Sequence, residues 1–280
     1  MRLSGILTAG TGAGPLRPVV IDDRMDLTST QWLIGGFAAI LIGFSKTGMP
    51  GAGILVVPLL AAAFGGRPSI GVMLPMLLVA DCFAVGWYRR HAQWEKLWHV
   101  APWVAVGMIF GAAFLKVTGE AGPAKDRMNL VIGSIVLGML AVHLLRRKVG
   151  DRLVPHYTPA IAATGVAAGF TTTASNAAGP IMAIYLQGMA LPKAQFMGTT
   201  AWFFLIVNAA KLPVFVVLSA INPENPIIST QTLLVNLALS PGILIGVVLG
   251  RWFLPRISQS SFDALVLTLA GAAALKLMFQ

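Results

Sequence analysis

Six long apolar runs decide what solvent this chain can fold in: Gly71–Tyr88, Val100–Val117, Met128–Leu145, Phe196–Leu218, Leu233–Trp252 and Phe262–Met278. Each is close to the ~20 apolar residues that carry a helix across a bilayer. Lipid offers no water to backbone N–H and C=O groups, so a spanning segment must satisfy them within itself, as a helix does. The expectation is an all-α polytopic membrane protein. The composition agrees, with 56% apolar and 11% charged residues and a mean hydropathy of +0.79, against about 25% charged in soluble domains.

The net charge of +10 would suggest a nucleic-acid partner in a soluble domain. Here the basic residues fall between apolar runs, where they set topology, so the expected partner is the lipid bilayer and no nucleic acid is expected. Residues 1–30 hold only short apolar pieces around Ile6–Leu7 and Val19–Ile21. They lack the ~7–15-residue apolar core of a signal peptide and read as an uncleaved, poorly ordered leader. The single cysteine, Cys82, excludes an internal disulfide and a Cys-rich metal site. It reads as a small buried apolar residue.

Two further apolar segments are interrupted. In the first, Trp32–Phe44 and Ile54–Phe64 flank the glycine-rich stretch Gly43–Gly53, GFSKTGMPGAG. Neither flank is long enough to span alone. The freed backbone must lie inside protein or beside water, which is where carriers bind substrate. The second break is TTTASNAAGP, Thr171 to Pro180, between Ala160–Phe170 and Ile181–Leu191. Gly43–Phe44 recurs as Gly169–Phe170, each break leads to a glycine ten residues later (Gly53, Gly179), and Pro68 and Pro192 follow.

This repetition predicts two homologous halves, 31–150 and 151–280, forming one transporter domain. Each half has one broken or re-entrant segment and three spans. If both broken segments re-enter, the halves are inverted and Lys and Arg concentrate on one side: Arg89, Arg90, Lys96, Arg146, Arg147, Lys148, Arg152, Lys193, Arg251 and Arg256. Arg67, Lys116, Lys125 and Arg127, read as loop residues, lie opposite, together with the leader and its arginines. If both segments cross, the contrast shrinks. The positive-inside rule favours the inverted arrangement with both termini outside.

Ionisable residues within spans are costly and mark cavities or partners. Three stand out: Lys46 in the first break, Asp81 in the run Gly71–Tyr88, and Lys211 in Phe196–Leu218. Lys46 sits among Gly48, Gly51 and other glycines that allow close backbone approach; the alternative is that it snorkels to the interface. Lys211 precedes Pro213, which kinks its helix. Asn208 lies on nearly the same face at i−3, so a cation and an amide donor are presented together. The alternative is a structural hydrogen bond between helices. Asp81 either pairs with Lys46 or Lys211, balancing charge, or carries a coupling proton. The second break adds short donors at Thr171, Thr172, Thr173, Ser175 and Asn176 beside Gly179 and Pro180. With Pro180 in the first turn of the following half-helix, its missing N–H does no harm. Two half-helix N-termini and two lysines point to an anion.

The first break, together with LPMLLVADCFAVGWYRRH (Leu74 to His91), NAAGPIMAIYL (Asn176 to Leu186) and FMGTTAWFFLIVNAAK (Phe196 to Lys211), resembles the sulfite exporter TauE/SafE family, also described as 4-toluene sulfonate uptake permeases. The resemblance covers about residues 30–280. It implies a multi-pass inner-membrane carrier of sulfite, sulfonates or related small anions, and leaves substrate and direction open. Thr199 enters the candidate site through this resemblance alone. The substrate-binding set is therefore Lys46, Gly48, Gly51, Asn176, Gly179, Thr199, Asn208 and Lys211, with Asp81 for charge balance or proton coupling.

No GxxxxGK[ST] loop is present, and no soluble insertion is long enough for an ATPase domain. Energy then comes from an ion gradient, the substrate gradient or a separate subunit. No HExxH or GxSxG motif supports an intramembrane enzyme, and no cofactor or metal is expected. A passive anion channel shares the composition; saturable counterflow separates it from a carrier.

Overall fold

The computed structural model describes residues 27–48, 53–120, 124–149, 158–189, 191–253 and 259–279. The leader up to residue 26 and Gly51 lie outside the described residues. Those described fold into ten α-helices and one 3-10 turn: α1 (Ser29–Thr47), α2 (Gly53–Phe64), α3 (Gly66–Tyr88), the turn Arg89–His91, α4 (Trp94–Glu120), α5 (Ala124–Val149), α6 (Thr158–Ser175), α7 (Gly179–Gln187), α8 (Lys193–Ile221), α9 (Thr230–Phe253) and α10 (Gln259–Met278). Among the described residues, five helices are long and apolar enough to span a membrane, and α2 and the apolar part of α10 are shorter.

Both interruptions lie within the stretches the sequence marks, but the helix before each runs further than expected. α1 begins at a capping box in which Thr28 and Gln31 satisfy each other's backbone N–H groups. It then runs through Lys46 to Thr47 instead of ending near Phe44. α6 likewise continues through Thr171–Ser175. The hydroxyls expected to be free donors are spent on their own helices: Thr171 donates to Ala167 O at 2.7 Å, Thr173 to Gly169 O at 2.9 Å and Ser175 to Thr171 O at 3.0 Å. Such back-bonding lets a threonine-rich stretch stay helical in a dry interior. The second break is therefore only Asn176–Ala178.

α3 is the central helix, with 67% of its apolar window buried against 28–39% for the other long helices. It packs on α8, α9, α1 and α2. α1 lies along α9 and α6 lies along α4. Between apolar helices in lipid there is no hydrophobic drive, so association depends on close backbone approach and polar bonds. At the first crossing a Cβ on Gly43 would collide with Ile243 O, and at the second a Cβ on Gly169 would collide with Val104 O. Thr47 Oγ1 adds a 3.0 Å bond to Val247 O across the first crossing.

The outer faces carry Leu33, Phe37, Trp98, Ile109, Phe110, Val216, Val217 and Leu237, all exposed. An apolar exterior of this extent suits lipid rather than water. Cys82 belongs to this exterior, contrary to its reading as a buried residue. One residue is about 100° of helix, so with Asp81 turned fully inward, Cys82 and Phe83 turn outward. Arg67 also departs from expectation. The joint between α2 and α3 is the single residue Gly65 at φ 86°, which leaves no loop to hold it. Arg67 lies buried in the first turn of α3, donating to Asn225 O at 2.8 Å and Leu115 O at 2.5 Å.

Candidate functional site

Charged and amide side chains that an apolar interior cannot hydrate must find one another, and they do so where α1, α3, α6 and α8 meet. Lys46, on the last turn of α1, reaches Asp81 of α3, with Nζ 2.7 Å from Oδ1. Its tip also lies 3.9 Å from the centroid of the Phe204 ring, a cation–π contact. The other carboxylate oxygen, Oδ2, accepts from Asn208 Nδ2 at 2.6 Å. Asp81 is fully buried, whereas the Lys46 side chain keeps 13% exposure. Lys46 is thus neither lipid-facing nor snorkelling: it is held by its partner at a cavity wall.

Three residues along α8 from Asn208, Lys211 is wholly buried. Its Nζ donates to Thr172 O at 3.1 Å, Thr172 Oγ1 at 3.1 Å and Asn176 Oδ1 at 2.5 Å. An ammonium has three donors, and these contacts use all of them. The cation sits against the last carbonyls of α6, where the helix dipole favours positive charge. Its partner Asn176 opens the break at φ 56°, the one positive-φ residue other than glycine among those described. Asparagine tolerates this left-handed conformation better than most residues. Asn176 Nδ2 donates to Ile70 O of α3 at 3.1 Å, so the break is tied to α8 through Lys211 and to α3 through Ile70.

Between the two breaks lies a cavity of about 70 Å³. About 10–15 Å³ of such volume accommodates a water, so the space fits one small ion or a few waters. Its polar wall is Ser45, Lys46, Thr172, Asn176, Thr200 and Asn208; Phe204, Leu77, Ile54 and Met197 belong to its apolar wall. Gly179 and Pro180 also line it, at the start of α7. Pro180 occupies the first turn, as the sequence requires, and the N–H groups of that turn have no partner within the helix.

Of the residues singled out in the sequence, Lys46, Asn176, Gly179 and Asn208 line this cavity, with Asp81 and Lys211 bonded directly to members of its wall. Gly48 does not: a Cβ there would lie 2.6 Å from Gly250 O, which makes it a packing residue against α9. Thr199 also points elsewhere, donating to Gln195 O at 2.7 Å and accepting from Gln93 N at 2.9 Å. Its neighbour Thr200 faces the cavity in its place. Thr200 and Phe204 were missed, yet a signal existed. Phe204, Asn208 and Lys211 stand at i, i+4 and i+7, and Thr200 extends that face one turn further. Among the described residues no cluster of three metal-ligating side chains occurs.

No curated protein and no solved structure matches the chain. The family model described as "Sulfite exporter TauE/SafE" matches residues 33–277, nearly the whole apolar part of the chain and both breaks. That family consists of membrane transporters of sulfur-containing anions such as sulfite. The helical architecture of the described residues and their lipid-suited exterior are those of a multi-pass membrane protein. The chain belongs to the sulfite exporter TauE/SafE family.

Proposed function

We propose that the protein is a secondary carrier of a small sulfur-containing anion, sulfite or a sulfonate, across the inner membrane, working by alternating access around the two breaks. The observation that carries this reading is a charge imbalance. Two lysines, Lys46 and Lys211, and one carboxylate, Asp81, stand at or directly behind the cavity wall. With both lysines and the carboxylate ionised, the surplus is one positive charge in a low-dielectric interior, where an uncompensated charge costs several kcal/mol. A monovalent anion in the cavity removes that cost.

In this reading Lys46 meets the substrate, because its tip borders the cavity and Asp81 engages only part of its donor capacity. The first turn of α7 supplies N–H donors to the oxyanion. Lys211, with its donors spent, holds the second break in shape. Asp81 balances Lys46 and is the group placed to take a coupling proton when substrate competes for that lysine. The reciprocal packing of α1 on α9 and α6 on α4 is what two homologous, inverted halves would produce, and supports rocking of one half against the other.

The test is sulfite counterflow in proteoliposomes. Wild-type protein should show saturable uptake accelerated by internal sulfite, and Lys46→Met should lose at least about tenfold in rate at subsaturating substrate. Sulfite flux without saturation or counterflow would make the protein a channel. Full flux in Lys46→Met would remove Lys46 from the site.

A further inference from the structure

We infer that the transported anion also carries a hydrogen-bond donor, such as a hydroxyl group, an amino group or a retained acid proton, and that Asn208 Oδ1 is the acceptor that selects it. This deepens the anion-carrier reading above and rests on it.

The sequence presents Asn208 as an amide donor beside Lys211. In the structure that donor is already committed, because Nδ2 bonds Asp81 Oδ2 at 2.6 Å. The contact also fixes which way the amide points. Turning it over would place its oxygen against a carboxylate oxygen, two acceptors face to face. The polar atom of Asn208 left for a ligand is therefore the carbonyl oxygen, which can only accept. Asn208 lines the cavity, is 1% exposed, and its Oδ1 has no hydrogen-bond partner among the described residues. Leaving a buried acceptor without a donor is unfavourable.

Lys46 Nζ and Asn208 Nδ2 meet the two oxygens of the same carboxylate. The cation that attracts an oxyanion and the oxygen that seeks a donor thus stand beside one another. A ligand with only acceptor oxygens satisfies the first and repels the second. One with an anionic head and a donor a bond or two away satisfies both. The apolar wall of Leu77, Met73 and Phe204 accommodates the short linker between them. A site whose buried polar group must be matched discriminates strongly against an analogue lacking the matching group.

The experiment uses the full chain in lipid nanodiscs and calorimetric titration of two probes of nearly equal shape. 2-Hydroxyethanesulfonate carries a hydroxyl where propane-1-sulfonate carries a methyl. The hydroxylated probe should bind about tenfold or more tightly, and Asn208→Leu should bring the two within about twofold. Equal binding of both probes to the wild type overturns the inference while leaving the anion site standing. A preference that persists in Asn208→Leu overturns the assignment to that residue. Should this variant not yield folded protein, the wild-type comparison decides alone. If neither sulfonate nor sulfite binds, the anion-carrier reading itself falls, and the inference with it.

Discussion

Replacing Asp81 by asparagine keeps the side-chain shape and removes the only carboxylate among the described residues that is bonded to the site. Lys46 loses its 2.7 Å partner, and two cations are left facing an apolar interior. Removing one member of a buried ion pair costs about 3–5 kcal/mol. Lys46 retains 13% exposure towards the cavity, which places the loss in the lower part of that range. For a chain of this size each kcal/mol is worth about 2–4 °C in melting temperature, so the expected drop is roughly 6–15 °C. Lys46→Met is destabilising for the converse reason, since it leaves Asp81 charged with only the Asn208 amide. The double variant Asp81→Asn with Lys46→Met leaves neither charge stranded and should melt above the worse single variant. The coupling between the two sites should reach about 2 kcal/mol or more. Thermal unfolding followed by tryptophan fluorescence, in one detergent throughout, measures all four proteins. Two single variants that each melt within about 2 °C of wild type, with additive effects, would refute a buried Lys46–Asp81 pair.

Three further expectations follow from other contacts. Lys211→Met should loosen the second break while leaving the Lys46 contact intact: sulfite affinity falls less than in Lys46→Met, but hydrogen exchange at residues 176–179 rises by at least about tenfold. Unchanged exchange there would contradict the bracing role. Gly169→Leu should prevent folding or cost more than about 3 kcal/mol, because its side chain would have to displace the α4 backbone at Val104. Gly36→Ala, where nothing lies within 4 Å of the new Cβ, should fall within about 1 kcal/mol of wild type; comparable losses in both would remove the crossing argument. Cys82→Ala, on the outer face, should leave stability within about 0.5 kcal/mol and sulfite counterflow unchanged. A large loss of either would show that the thiol packs inward.

What could be read from the sequence and what could not divide along physical lines. Charges in apolar runs are expensive, so Lys46, Asp81 and Lys211 announced themselves, and all three converge on one polar cluster. Their pairing was not legible. The choice between Lys46 and Lys211 as partner of Asp81 depends on how α1, α3 and α8 cross, and no local pattern encodes those angles. The breaks were legible through glycine, but their edges were not, because threonine and serine hydroxyls can bond back to their own helix and keep it wound to Ser175. Thr199 and Thr200 differ by one residue, about 100° of rotation, and only the packing against Gln93 decides which of them turns from the cavity. Cys82 and Arg67 were misplaced for a shared reason. In lipid the exterior is apolar and charges can be buried on carbonyls, so the inside–outside rules of soluble proteins lose their force.

The central claim, that the cavity between the breaks receives an oxyanion at Lys46, is tested most directly by an experimental density map of the full chain in lipid with saturating sulfite. The account predicts a compact density between Lys46 Nζ and the first turn of α7, bordered by Asn176 and Asn208. Density confined to the protein surface, or a cavity at saturating sulfite that holds only water, would contradict it.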